Sequence, residues 1–103
     1  MSAPPTSGVD DDLPEDAVAV LTQLLDETRA ALAAEEFETA RETIDSAESV
    51  ATSKLPDGEV RQSLLHGTER VRSLLDPDTE DGIEADAADE YTAAMERRLP
   101  DGG

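Results

Sequence analysis

Residues 24–47, LLDETRAALAAEEFETARETIDSA, decide the fold. In the first half Leu24, Leu25, Thr28, Ala31 and Leu32 recur at the spacing that lines one side of an α-helix, and Phe37, Ala40, Ile44 and Ala47 repeat the pattern in the second half. Glu35 and Glu36 interrupt both stripes. The stretch therefore reads as two amphipathic helices folded back on one another, with the turn at Glu35-Glu36 and the remaining helices packed around the hairpin.

Upstream, the first stripe extends through Val18 and Leu21. It opens at Leu13-Pro14, where proline suits a first helical turn and the acids Glu15 and Asp16 complement the positive end of the helix dipole. Downstream, the second helix starts around Glu36, continues through Val50 and Ala51, and frays at Lys54-Leu55, because Pro56 disfavours helical geometry in the residue before it. A third helix follows the turn Pro56-Asp57-Gly58, with Asp57 as N-cap. It carries Val60, Leu64, Gly67, Val71 and Leu74 on one face with Leu65 and Leu75 beside them, and ends at Asp76-Pro77. Gly67 costs about 1 kcal/mol relative to alanine in mid-helix, so a neighbouring helix is expected to cross tightly there.

After a loop from Pro77 to Gly82, a fourth helix runs from about Ile83 to Leu99, with Arg97 and Arg98 in its last turn and Pro100 as its stop. Its inward candidates are Ala87 or Ala88, Tyr91, Ala94 or Met95, and Leu99. That stripe is weak, which makes the fourth helix a candidate for a peripheral or partner-swapped element. Short loops imply antiparallel neighbours. The fold class predicted is all-α, a small antiparallel bundle of three to four helices: residues 1–12 form a disordered acidic tail, 13–99 the bundle, and 100–103 a flexible C-terminus.

The chain has 103 residues, 26 of them acidic and 8 basic, for a formal charge of -18. Acids are spread over every segment that carries helical periodicity, unlike a disordered acidic tail. Such a surface repels itself in dilute buffer, whereas at about 1 M salt the Debye length falls to about 3 Å and the repulsion is screened. Seven arginines stand against the single Lys54. The acid-rich, lysine-poor, alanine-rich composition resembles cytoplasmic proteins of extremely halophilic archaea. A nucleic-acid mimic, whose carboxylates imitate phosphates, is the competing explanation of the charge. Net negative charge opposes direct binding to nucleic acid or an anionic membrane. No secretory signal or run of about 20 apolar residues is visible, and a cytoplasmic location is expected.

The hairpin residues Leu24-Leu25, Thr28, Ala31-Leu32, Phe37, Ala40, Ile44 and Ala47 resemble a tetratricopeptide-type unit, with Phe37 as the aromatic after the turn and Ala40 and Ala47 as small crossing residues. Thr28 stands where that family commonly has glycine and Thr52 where it commonly closes with proline. The resemblance covers one unit with no second copy about 34 residues on, so it implies a hairpin inside a bundle in place of a peptide-binding superhelix.

Motifs for chemistry are sparse. There is no cysteine, no Gly-rich phosphate loop and no nucleophile elbow. His66, the single histidine, falls off the apolar face and reads as a surface residue. The run Asp76-Pro77-Asp78-Thr79-Glu80-Asp81-Gly82 fails the spacing of a calcium loop, since the required glycine falls on Asp81 and the terminal acid on Ala87. Asp10-Asp11-Asp12 reads as solvated tail, and the terminal Asp101-Gly102-Gly103 resembles the tail of ubiquitin-like modifiers without their β-grasp fold. No cofactor, metal site or catalytic group is expected.

The third helix stands apart because Arg61, Arg70 and Arg72 nearly balance Asp57, Glu59, Glu69 and Asp76. A charge-depleted surface with arginine and leucine is what an interface prefers; a central position in the bundle would explain it equally. The residues singled out as a possible partner contact are Arg61, Leu65, His66, Arg70 and Arg72. The expected function is a non-enzymatic helical protein–protein interaction module adapted to high salt, with a protein partner or a homodimer. The alternatives are an acidic nucleic-acid mimic inhibiting a DNA- or RNA-binding protein, and an accessory domain of an enzyme.

Overall fold

The computed structural model of the chain describes residues 13–80 and 82–99. The readings of residues 1–12, Asp81 and residues 100–103 lie outside them. Four helices follow in order, α1 (Glu15–Ala33), α2 (Phe37–Lys54), α3 (Glu59–Leu74) and α4 (Ala85–Arg98), and no strand occurs among the described residues. Each helix packs on the next, and α4 closes the circuit by packing on α1. Thr28 faces Thr43, Gly67 faces Met95, and Leu74 receives Glu84, so partners descend in one helix as they ascend in the next. The architecture is an antiparallel four-helix bundle, and the fourth helix, a candidate for a peripheral or partner-swapped element, is one of its walls.

The centre is built from Leu21, Leu25, Leu32, Ile44, Leu64, Val71, Leu75 and Met95, with Ala40, Ala47, Ala51 and Ala88 buried among them. No aromatic ring is among the buried residues: Phe37 and Tyr91 are half-buried at its margin. Three threonines take core positions that valine could fill. Thr28, Thr68 and Thr92 are almost fully enclosed, and each donates its hydroxyl to a carbonyl of its own helix, at 2.8 Å to Leu24, 2.9 Å to Leu65 and 2.8 Å to Ala88. The buried oxygens are thereby satisfied without a partner helix, and only Thr28 reaches across, to the Thr43 hydroxyl at 2.6 Å.

The hairpin turn has a definite chemistry. Past α1 the Glu36 N–H donates to the Ala31 carbonyl at 2.8 Å and the Glu35 N–H to the Leu32 carbonyl at 3.1 Å, the pair of bonds that defines a Schellman motif. Its left-handed position is filled by Glu35, with φ of 60°, where glycine is usual. Glu35→Gly is expected to raise stability by about 0.5–1 kcal/mol, because strain and one negative charge leave together. A urea midpoint unchanged or lowered by the substitution would show that the turn carries no such strain.

One boundary and one helix face differ from expectation. Asp57 is not the cap of α3: Gly58 holds that position in an extended conformation without a side-chain cap, because the Asp57 carboxylate pairs with Arg61 one turn along. In α4, Thr92 and Ala88 face the core with Met95, and Tyr91 lies on the flank. In the α3–α4 loop the Asp76 carboxylate accepts from the Asp78 N–H at 2.9 Å, while the Thr79 hydroxyl bonds the Asp76 carbonyl at 3.0 Å. Turn chemistry accounts for the acid Asp76 there.

Candidate interaction face

On α3, the core positions Leu64 and Val71 leave two flanks one helical step to either side. Arg61, Leu65 and Arg72 share the flank toward α2, Arg70 lies on the flank toward α4, and His66 points outward between them. The five residues expected to form one contact are therefore divided.

The α2 flank is largely occupied within the chain. Arg72 reaches across to α2, bonding Asp45 at 3.1 Å and pairing with Glu48 through both terminal nitrogens. The Glu48 hydrogen bond leads, with Asp45 behind it, in holding the Arg72 guanidinium above its ordinary pKa, while burial opposes. Arg61 pairs with Asp57, and its Nε is enclosed without an acceptor among the described residues. Leu65 is half-buried against the core. Exposed pairs of this kind are worth at most about 1 kcal/mol, but they fix which way the guanidinium groups point.

The α4 flank differs. The Arg70 guanidinium sits over the Tyr91 ring, 5.6 Å from its centroid. No carboxylate reaches Arg70 among the described residues. Ala87 and Ala94, one turn either side of Tyr91, share its flank of α4, and Leu74 and Ile83 are half-buried at the loop end. The face is thus a shallow strip of small apolar surface around an arginine–tyrosine stack, with His66 on its rim. The hollows along it are open and shallow, and among the described residues no group of three or more His, Asp or Glu side chains is placed to hold a metal ion. A cation–π pair of this kind contributes about 0.5–1 kcal/mol and presents a flat, pre-oriented surface.

Comparison with known proteins gives one match. The profile of the family described as "Domain of unknown function (DUF8101)" covers residues 6–101. The chain belongs to this DUF8101 family. No curated protein and no solved structure matches the chain. For this DUF8101 member the functional reading therefore rests on its own residues. Sequence reasoning picked out Arg70 but missed Tyr91 as its companion. The signal was available: Tyr91 is the single tyrosine, it falls one step off the stripe set by Ala88 and Met95, and an aromatic on a flank beside arginine-rich α3 is a natural stacking partner. No helix among the described residues is long and apolar enough to cross a membrane.

Proposed function

We propose that the domain is a non-enzymatic helical protein–protein interaction module suited to high salt, and that the α3–α4 face is its contact surface. One observation carries the reading. On a chain with a charge of -18, the single helix with more basic than acidic residues, three arginines against two glutamates, holds Arg70 over Tyr91 and away from any carboxylate among the described residues. Arginine and tyrosine are the side chains that most often anchor interfaces, and small apolar neighbours allow close approach. High salt screens repulsion between acidic surfaces and strengthens apolar burial, so a contact of this composition gains where an ion-paired one fades.

The test uses capture from the native organism at native ionic strength, with size-exclusion chromatography to detect a second copy of the chain as partner. Arg70→Ala and Tyr91→Ala are each expected to reduce recovery of the partner by about tenfold or more, on the scale of an interface hot spot. Glu38→Gln with Glu42→Gln is expected to leave recovery unchanged. The reverse pattern, with Arg70 and Tyr91 dispensable and the acids required, would establish a nucleic-acid mimic instead.

A further inference from the structure

The seam between α1 and α4 carries more negative charge than its one bridging cation can satisfy. Arg29 of α1 donates to Asp89 at 2.9 Å and to Glu96 Oε1 at 3.2 Å, both on α4. Asp26, one turn earlier on α1, borders a hollow beside Arg29 and Asp89 and adds a third carboxyl that acts on Glu96. The Glu96 side chain is 17% exposed, and its second oxygen, Oε2, is fully enclosed with no donor among the described residues. An enclosed acceptor without a donor is costly, and two carboxylates side by side repel. One proton removes both difficulties, turning an empty approach between two acceptors into a hydrogen bond.

We propose that Glu96 holds a proton in the folded domain and directs it toward the Asp26 carboxylate, so that the α1–α4 seam is a clasp that tightens on mild acidification. The groups facing Glu96 are Asp26 and Arg29 from α1, and Asp89 on its own helix, with Arg97 bordering a second hollow beside Arg29 and Glu96. α3 also packs on α4, but its Arg70 stands on the opposite flank at Tyr91, and α2 makes no contact with α4. Burial, then the Asp26 hydrogen bond, push the Glu96 carboxyl above its ordinary value of 4.5, with Arg29 opposing. A raised value means that the folded domain binds the proton more tightly than the unfolded chain. Stability therefore rises as pH falls from the folded value toward the unfolded one, and is lost as pH climbs back through the folded value.

The test is a carboxyl carbon NMR titration of the full chain in molar salt, paired with thermal melts. Glu96 is expected to titrate above the other glutamates, and Asp26→Asn, which offers an amide donor in place of the proton, to bring it down toward them. Wild-type Tm is expected to rise as pH falls through the raised value of Glu96 toward 4.5, with Glu96→Gln melting higher than wild type on the alkaline side and showing a smaller rise than the exposed-site control Glu38→Gln. Glu96 titrating with the exposed glutamates, or a Glu96→Gln slope equal to that of the control, overturns the proton on Glu96.

Discussion

Truncating Met95 to alanine is expected to cost about 2–5 kcal/mol, a large share of the margin of so small a domain. Met95 is 3% exposed and occupies the slot that Gly67 leaves on α3. A Cβ built at Gly67 would meet Met95 Sδ at 2.5 Å and Cγ at 2.6 Å, so glycine leaves the room that the enclosed Met95 side chain fills. Gly67→Ala alone is then expected to be destabilising, since overpacking costs about 1–3 kcal/mol and the helical preference of alanine returns only about 1 kcal/mol. In the Met95→Ala background the obstruction is gone, and the same Gly67→Ala change is expected to stabilise by about 1 kcal/mol. Urea unfolding of the four proteins of this cycle gives the coupling directly. A Gly67→Ala effect of the same sign and size in both backgrounds would mean that Met95 does not fill the slot.

The second large effect concerns the medium. Dilution from about 2 M salt to about 0.05 M lengthens the Debye distance from about 2 Å to more than 10 Å, and is expected to lower stability by an amount comparable to the whole folding margin. The cross-helix ion pairs of Arg29 and Arg72 offset only a small part of a charge of -18, and both arginines are partly exposed, so salt screens these attractions as well as the repulsions. The core that must resist is made of aliphatic side chains and threonine, with no buried ring to add area. Circular dichroism at 222 nm across a salt series should show helicity lost at the dilute end and regained on adding back salt. Full helicity and an unchanged Tm without salt would remove the argument for a salt-dependent fold.

Much of this architecture is written in periodicity. The stripes from Val18 to Leu32 and from Phe37 to Ala51 placed α1 and α2 within a residue or so, and mid-helix Gly67 marked a position where a neighbouring helix comes in, through the side chain of Met95. What periodicity could not show is which polar residues would turn inward. Thr68 and Thr92 are buried because a threonine hydroxyl can bond its own helix, a local solution that leaves no mark in an apolar pattern. The candidate face was half legible for a related reason. Arg61, Arg70 and Arg72 look equivalent along the chain, yet a rotation of about 100° per residue sends Arg72 to the carboxylates of α2 and Arg70 to Tyr91. The charged seam at Glu96 was invisible, since Asp26 and Glu96 become neighbours only when α4 closes on α1.

That closing contact also bears on how the chain folds. Three of the four seams join helices adjacent in sequence, whereas α1 meets α4 across separations of 60 and 67 residues, from Arg29 to Asp89 and to Glu96. Loop-closure entropy delays such contacts, so the hairpins should nucleate first and the last wall dock late. Side chains on that wall, Glu96 among them, are then expected to have low φ-values: changing them should alter the rate of unfolding while leaving the rate of folding nearly untouched.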